Sequence, residues 1–318
     1  MKRIIAFISI AIGFFSLSTG QTLEEKEQEL FKKYNVKTRT NWDYTFKDSK
    51  FSMEGKKTSL STYDRNGRVL EIKVFNPKGE TSLLEKFAYD TKGNRTFYER
   101  QSLSGEYKKQ SEYDEESNLI QEYGYDGSAT FGTKFSYDSK DRVTEIVYLI
   151  ADEIDEKRVY TYTGNKATVD ILKNGKFLSS KVSLTFNSQN QVIKEEVSSV
   201  DGKVLESRTM EYNSIGKITK EEKYKSGQLI YRQTYDYDSK NELLSISEEN
   251  SNEAKYIKKL YKYDDLGRVI EYQWKRNSAD DYNIKVFKYG DKGVCSEEHT
   301  YYPKTNYKLL TKYEYDFY

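Results

Sequence analysis

The motif Y-D-D-L-G-R-V, from Tyr263 to Val269, is the pattern on which the rest of the chain is built. An aromatic residue, Tyr261, precedes it by two positions, and an apolar, β-favouring run that includes Tyr272 and Trp274 follows it. Degenerate copies of the same pattern occupy almost the whole chain after residue 50. A fixed period of this kind indicates a repeat architecture, so the requirements of one copy set the requirements of the fold.

Each copy begins with an aromatic residue, which we number position 0. The steps from Tyr237 to Tyr263 and from Tyr263 to Tyr289 are both 26 residues, and every other step is 24 to 26 residues. Position 0 is held by Tyr63, Tyr89, Tyr113, Tyr137, Tyr162, Phe186, Tyr212, Tyr237, Tyr263, Tyr289 and Tyr315. The chain therefore contains about ten tandem repeats of about 25 residues.

Two turn signals divide each repeat into two strands. Position +1 is mostly Asp or Asn, which can form an Asx-turn, and position +4 is mostly Gly, Asn, Asp or Ser. Because Gly, Asn and Asp tolerate a left-handed backbone, this spacing predicts a type I turn closed by a left-handed residue and a bulge. A second signal follows 12 to 17 residues after most position-0 residues, as at Asn76 to Gly79.

These features predict an all-β fold of tandem β-hairpin repeats that form an extended or curled antiparallel meander. About ten repeats give roughly 20 strands of ordinary length. The chain has 30 tyrosines, many of them at position 0. Since a tyrosine packs its ring while its hydroxyl stays in water, we expect a thin, Tyr-lined core or a single-layer sheet.

The pattern Y-x-Y-D-x-x-G-R-V resembles the YD (Rhs-type) repeat of bacterial cell-surface and secreted proteins. The best copies are residues 63–69 and 261–269, and the resemblance covers about residues 50–318. It implies hairpins wound into a continuous sheet, which in that family sometimes encloses a C-terminal toxin. It also implies a non-enzymatic protein of the cell envelope or surface.

The first 50 residues have a different character. Residues 1–20 combine a basic start, a short apolar stretch and small residues before Gln21, which predicts a secretory signal, with an uncleaved membrane anchor as the alternative. Residues 21–50 are interpreted as a helix and a lead-in to the repeat domain of residues 51–318. The helix, Thr22 to Tyr34, is expected to cap the first open strand edge, with partner binding as the alternative.

Charge narrows the possible partners. Removing Lys2 and Arg3 with the signal lowers Lys plus Arg from 52 to 50 against 51 acids, so the mature charge is −1. Without a basic patch we expect no nucleic-acid partner. Residues 218–223 place charges on both faces of a strand, which argues against a lipid-embedded barrel, and we expect no integral membrane span in the mature chain.

Catalytic constellations are not apparent in the sequence, and we expect no enzyme, no cofactor and no metal. Cys295 and His299 are the only cysteine and histidine, and as residues i and i+4 of one strand they would share a face but lie roughly 13 Å apart. Cys295 is expected to be a buried structural thiol. The acidic turn of residues 152–156 keeps a cation as a minor alternative to solvated charges.

The candidate ligand-binding residues are Tyr272 and Trp274, which lie on one face of one strand. Such rings can stack on a sugar, although they can equally form the apolar face of their strand. We therefore predict an exported binding protein, periplasmic, surface-exposed or secreted, whose ligand is a glycan or an envelope protein. The alternative is a structural spacer or shell component of a secretion or toxin system.

Overall fold

The structure is a computed structural model that describes residues 23–318. The predicted signal of residues 1–20 and Thr22, where the helix is predicted to begin, lie outside the described residues. The described part is one helix followed by a continuous series of antiparallel strands.

The elements follow the predicted alternation of strand and turn. Helix α1 is Leu23–Lys33, and a short 3-10 helix is Pro303–Thr305. The strands are β1 Val36–Lys47, β2 Lys50–Phe51, β3 Lys56–Tyr63, β4 Val69–Phe75, β5 Thr81–Tyr89, β6 Arg95–Ser102, β7 Gly105–Tyr113, β8 Leu119–Tyr125, β9 Thr130–Tyr137, β10 Val143–Ile150, β11 Glu153–Thr163, β12 Lys166–Lys173, β13 Phe177–Phe186, β14 Val192–Ser198, β15 Val204–Tyr212, β16 Ile218–Lys225, β17 Gln228–Tyr237, β18 Leu243–Asn250, β19 Glu253–Tyr263, β20 Val269–Trp274, β21 Asn283–Tyr289, β22 Cys295–Tyr302 and β23 Tyr307–Phe317.

The sheet closes on itself, so the prediction of an extended or curled meander is wrong. Strand β1 pairs with β3 on one side and with β23 on the other, which joins the two ends of the meander into a closed antiparallel barrel of 22 strands. Strand β2 pairs with β1 outside this ring. Closure leaves no open strand edge, and edges are what a repeat sheet must otherwise protect.

Side chains fix the register of the closing seam. The Thr38 hydroxyl donates to Asp316 and the Trp42 indole N–H donates to Glu314, each at 2.7 Å. Beyond the strand end, the Tyr318 N–H donates to the Asn35 carbonyl at 2.9 Å. Charges on both faces of a strand argue against contact with lipid. They do not argue against closure, because a water-filled barrel accepts polar groups on both sides of its wall.

The predicted turn is confirmed. In the first copy, Asp64 Oδ1 accepts hydrogen bonds from the backbone N–H groups of Asn66 and Arg68, at 2.8 and 2.9 Å, and Gly67 has a φ of +74°. The strand register shifts between Thr62 and Tyr63, which is the bulge. These turns form one end of the barrel, here called the Asp-turn rim. The second turns form the opposite end, here called the far rim.

Eight of the ten position-0 tyrosines are bonded to backbone, so the expectation that their hydroxyls stay in water is wrong for these eight. The Tyr263 hydroxyl donates to the carbonyl of Leu243, at position +6 of the preceding repeat, at 2.9 Å. The same bond is made by Tyr113, Tyr137, Tyr162, Tyr212, Tyr237, Tyr289 and Tyr315. A phenol at this position therefore joins consecutive repeats, which explains why Tyr rather than Phe recurs there.

The Arg at position +5 explains the rest of the motif. Arg268 pairs with Asp264 at 2.6 Å, and its guanidinium lies 4.4 Å from the ring centre of Tyr289 in the next repeat. Arg68 and Arg142 pair with the Asp of their own turns and stack on the next position-0 ring in the same way. In these three copies the motif Y-D-x-x-G/D-R thus ties one turn of the Asp-turn rim to the following one.

Helix α1 lies in the mouth of the Asp-turn rim instead of capping an edge. Lys26 pairs with Glu242 at 2.8 Å, and the Gln28 side chain donates to the Asn66 carbonyl at 3.4 Å. Eight strands, β3, β1 and β18–β23, separate these two turns along the wall, which is roughly 35 Å or more at about 4.8 Å per strand. Residues two apart on one helix can reach both turns only across the mouth.

The position of the helix identifies the inner face of the wall. Phe31 packs edge-on against the rings of Tyr63 and Tyr315, at 4.7 and 6.0 Å. Positions 0 and −2 therefore face the interior, together with the residues paired to them across the strands. Apolar packing is densest at Val143, Val169 and Val182 and their neighbours in strands β10–β14, where the wall itself is the core.

Candidate binding surface on the inner wall

A cavity of about 1500 Å³ lies beside helix α1 at the Asp-turn rim. Aromatic residues of the inner face form much of its wall, including Tyr261, Tyr272, Phe287, Tyr289 and Tyr313. Most of these rings sit at positions 0 and −2, so the repeat itself delivers them to the same place. The predicted site residue Tyr272 thus lies in the mouth of the barrel.

Arg39 anchors the helix at the floor of this cavity. Its guanidinium pairs with Glu27 at 2.9 Å and lies over the rings of Phe31 and Tyr313, at 5.8 and 5.6 Å. Burial alone would lower the pKa of Arg39, but the Glu27 carboxylate together with Tyr63, Tyr315 and Tyr313 outweighs it and raises the pKa above its usual value. The guanidinium therefore remains a fixed positive charge between the helix and the wall.

Tyr272 and Trp274 stack on each other, as their shared face predicts. Their ring centres are 5.0 Å apart with an interplanar angle of 11°. Tyr261, which is the cross-strand partner of Tyr272, also stacks with Tyr272, at 5.0 Å and 27°. The two predicted residues are therefore the middle of a longer aromatic surface.

This surface continues from the mouth to the far rim. Tyr302 meets Trp274 edge-on at 5.9 Å, and Tyr307 lies 6.0 Å from Tyr302. Tyr302 and Tyr307 flank the last turn of the far rim. Tyr261, Tyr272, Trp274, Tyr302 and Tyr307 are here called the aromatic row, and they span the height of the wall.

Polar groups accompany the aromatic row. Lys285, the cross-strand partner of Tyr272, pairs with Glu298 at 2.6 Å. The hydroxyls of Thr300 and Tyr313 donate to the same Glu298 carboxylate, at 3.0 and 3.3 Å. A ring surface flanked by a hydrogen-bonded ion pair offers stacking and directional hydrogen bonds to one flat, polar ligand.

The phenols of Tyr261 and Tyr272 remain protonated at neutral pH. Burial raises the pKa of Tyr261 to about 12, with the neighbouring Tyr272 adding to the effect. Burial also raises the pKa of Tyr272. Both hydroxyls are therefore available as hydrogen-bond donors, and neither is a base at neutral pH.

Cys295 and His299 lie on opposite faces of the wall, so the expectation that they share a face is wrong. The bulge shifts the register between Lys288 and Tyr289, which turns Cys295 inward beside Tyr289 while His299 pairs with Val286 on the outer face. Burial raises the pKa of the Cys295 thiol to about 12, so it is not a nucleophile at neutral pH. His299 instead contacts Glu297 at 3.2 Å.

Residues 23–318 contain neither a candidate metal cluster nor a helix able to span a membrane. No three or more His, Cys, Asp or Glu side chains in that range are grouped to hold a metal ion. In the same range, no helix is both long enough and apolar enough to cross a bilayer.

The outer face of the wall carries ion pairs between neighbouring strands. Glu99 lies between Lys86 and Lys108, at 3.5 and 3.2 Å. On the other side of the barrel, Glu222 pairs with Arg232 at 2.5 Å. Similar pairs recur at Lys157 with Glu145, Lys181 with Asp170, Lys262 with Glu271 and Lys288 with Glu297.

Sequence reasoning did not find Tyr261, Lys285, Glu298, Tyr302 and Tyr307 as part of the site. Tyr261 and Lys285 occupy positions −2 and −4 of their repeats, which always face inward. Glu298 and Tyr272 both occupy position +9, and the bulge brings that position to the inner face. Counting strand alternation with the extra residue of the bulge included would have predicted that these residues face inward.

No protein-family model matches the chain, and no curated protein matches it by sequence. Among solved structures, the chain is similar to TcdB2-TccC3-TEV with 10% identity and a TM-score of 0.29, over 85% of this chain and 19% of that one. It is similar to a porin-like protein from Bacteroides uniformis with 8% identity and a TM-score of 0.32, over 89% of this chain and 97% of that one.

A third similar structure is a Tc holotoxin pore of Photorhabdus luminescens, with 13% identity and a TM-score of 0.28, over 86% of this chain and 18% of that one. The chain spans about a fifth of the length of the two toxin chains that it matches. The structures similar to this chain therefore include toxin-complex chains and a porin-like protein, all at low identity.

Proposed function

We propose that this chain is an exported, non-enzymatic envelope protein that binds a glycan along the aromatic row inside its barrel. The observation that carries the proposal is the continuous stack of Tyr261, Tyr272 and Trp274 beside the Lys285–Glu298 pair. Pyranose rings have flat C–H faces and equatorial hydroxyls, so they need both an aromatic platform and hydrogen-bonding groups at its edge.

The direction of the aromatic row favours an oligosaccharide over a single sugar. Its five rings run from the mouth cavity to the far rim, and neighbouring centres are 5.0 to 6.0 Å apart. A chain of sugars can occupy successive rings, each with a small contribution. A compact ligand would use only one end of this surface.

The wall around the row supports a binding role in water. A lipid-exposed barrel needs an apolar outer band, whereas the outer face of this wall carries ion pairs at Glu99 and Glu222. The closed wall also removes the open sheet edge through which a purely structural component would pair with other strands. The closed wall instead presents an interior lined by the aromatic row and its polar neighbours.

The test is a glycan array followed by fluorescence titration of each hit. Trp42 and Trp274 are the two tryptophans, and Trp42 lies at the seam, bonded to Glu314. In a Trp42→Phe background the fluorescence reports Trp274 alone, and we expect saturable quenching. Trp274→Ala, followed by calorimetry, should weaken binding at least tenfold, about 1.4 kcal/mol.

Trp42→Ala is the matched control, because it removes the same side chain from outside the aromatic row. Binding that survives Trp42→Ala and is lost in Trp274→Ala supports the proposal. The absence of any saturable glycan hit contradicts it and favours the structural alternative, as does equal loss in both variants.

A further inference from the structure

The inner wall carries a second set of stacked rings, which the aromatic row does not include. The ring centres of Phe87 and Tyr98 are 5.2 Å apart, and those of Tyr98 and Tyr107 are 5.7 Å apart. Tyr107 in turn stacks on Phe131, at 5.4 Å and 23°. Phe87, Tyr98, Tyr107 and Phe131 are here called the aromatic belt.

All four rings of the aromatic belt face the interior. Phe87 is at position −2 of its repeat, and Tyr98 is its cross-strand partner. Tyr107 and Phe131 are both at position −6, which strand alternation places on the same face as position 0. Each ring is only partly buried, so the belt is accessible from the lumen.

Ordinary packing between neighbouring strands does not account for the whole belt. Tyr107 is on β7 and Phe131 is on β9, so β8 lies between them. Gly124 of β8, the cross-strand partner of Phe131, leaves the intervening position without a side chain, and a Cβ there would lie 2.7 Å from the Phe131 ring. The belt therefore continues across β8 and extends around the wall for four strand spacings, roughly 19 Å.

The belt and the aromatic row are built from the same positions of the repeat. Phe87 stacks on Tyr98, whose other cross-strand partner, Lys109, pairs with Glu122 at 2.6 Å. These residues occupy positions −2, +9, −4 and +9, which in the aromatic row and its ion pair hold Tyr261, Tyr272, Lys285 and Glu298. No other repeat has aromatic residues at both −2 and +9.

The two ring surfaces lie on separate parts of one closed wall. Around the ring of 22 strands, nine strand steps separate β20, which holds Tyr272 and Trp274, from β7, which holds Tyr107. Nine steps correspond to roughly 43 Å along the wall. A short ligand therefore reaches one surface or the other, and only a long one reaches both.

We propose that the aromatic belt is a second saccharide platform, and that the barrel binds one polysaccharide chain at two separated places on its inner wall. This inference rests on the proposed function, because the ligand class is taken from the aromatic row. Rings at the belt offer the same stacking surface, and the Lys109–Glu122 pair offers the same directional hydrogen bonds. A chain that has bound one platform meets the other at a high effective concentration, so it binds more tightly than a short fragment does.

The test is calorimetry of the full chain with two ligands of the same chemistry, a polysaccharide identified on the glycan array and a trisaccharide fragment of it. The unchanged protein should bind two trisaccharides, whereas Tyr107→Ala and Trp274→Ala should each bind one. We expect the unchanged protein to bind the polysaccharide at least about tenfold more tightly than the fragment, and each variant to lose that gain.

Tyr123→Ala is the matched control, because Tyr123 lies on β8 beside the belt but on the outer face, opposite Gln110. It should leave the stoichiometry and both affinities unchanged. Phe131→Ala removes the other end of the belt and should reproduce the effect of Tyr107→Ala. Circular dichroism checks the folding of each variant, and Phe131→Ala provides the comparison if Tyr107→Ala does not fold.

The outcomes separate this inference from the proposed function. One trisaccharide per unchanged protein, lost in Trp274→Ala, overturns the second platform and leaves the proposed function standing. Polysaccharide binding that is unchanged in Tyr107→Ala and Phe131→Ala also overturns the second platform. If no saccharide binds the unchanged protein, the proposed function fails and the inference fails with it.

Discussion

The Asp-turn rim and the far rim are made by the same repeats and contain turns at the same frequency, but only one of them is uniform. At the Asp-turn rim, the Asp or Asn at position +1 and the left-handed residue recur in most copies. Three copies add an Arg at position +5, as at Arg268, which reaches the ring of the next repeat. At the far rim, the turns range from Asn174–Gly175 to a 3-10 helix that starts at Pro303.

The difference follows from what each turn is bonded to. A turn at the Asp-turn rim depends on its neighbours, through the hydroxyl of Tyr263 and its equivalents, and on helix α1 in the mouth. A far-rim turn needs only to reverse its own hairpin. Sequence is therefore constrained at one end of the barrel and free at the other.

The largest expected contrast compares one glycine from each rim. A Cβ on Gly67 would lie 2.2 Å from the Gln28 carbonyl oxygen of helix α1, whereas a Cβ on Gly79 would meet nothing within 4 Å. Both residues have a positive φ, +74° and +82°. We expect Gly67→Ala to lower the free energy of unfolding by about 3 kcal/mol and Gly79→Ala by about 1 kcal/mol.

Urea denaturation monitored by circular dichroism measures both glycine variants. A further readout is proteolysis near residues 23–33, which should accelerate only in Gly67→Ala, because only that change displaces the helix. Equal destabilisation by the two substitutions would mean that the helix contributes nothing to the uniformity of the Asp-turn rim.

The next contrast removes a single hydroxyl. Tyr263→Phe deletes the bond to the Leu243 carbonyl, 2.9 Å long, and should lower the free energy of unfolding by about 1 kcal/mol. Tyr307→Phe on the far rim removes an exposed hydroxyl and should have almost no effect. Thermal melts of the two variants measure this contrast. A loss of stability in Tyr307→Phe as large as that in Tyr263→Phe would contradict the special role of position 0.

The smallest contrast is in pH dependence. The hydrogen bond from Arg142 lowers the pKa of Asp138 from 3.8 to about 2. Because the folded pKa is depressed, the stabilising contribution is present above pH 3.8 and is lost as the pH falls towards about 2. In Asp138→Asn, the free energy of unfolding should fall less steeply across that interval.

Asp201 provides the comparison on the far rim. Its pKa is lowered chiefly by the hydrogen bond from Ser199, without an arginine. Asp201→Asn should therefore change the acid limb less than Asp138→Asn does when both are followed by urea titrations at a series of pH values. A larger effect at Asp201 would show that the Arg142 partner is not what distinguishes the Asp-turn rim.

Much of the local structure could be predicted because it depends on neighbours in sequence. The left-handed residue at Gly67 and the Asx-turn at Asp64 are set within five residues, and the stack of Tyr272 on Trp274 follows from strand alternation. The helix, expected at residues 22–34, runs from Leu23 to Lys33. Each of these features is a short-range consequence of backbone sterics and side-chain chemistry.

The bulge places residues on faces that simple strand alternation does not predict. One extra residue per turn reverses the alternation, so Cys295 and His299, expected on one face, point to opposite faces. The same shift brings Glu298 beside Tyr313 on the inner face, where simple alternation would not place it.

Sequence alone predicts the repeat, its two turns, the tyrosine at position 0 and the placement of Tyr272 with Trp274 on one face. Closure of the sheet is visible only in the three-dimensional fold, because a repeat contacts its neighbours identically in an open and a closed sheet. The barrel closes where β1 pairs with β23, through contacts such as that between Thr38 and Asp316, which are 278 residues apart. Contacts at that separation depend on accumulated strand twist and number, which no single repeat encodes.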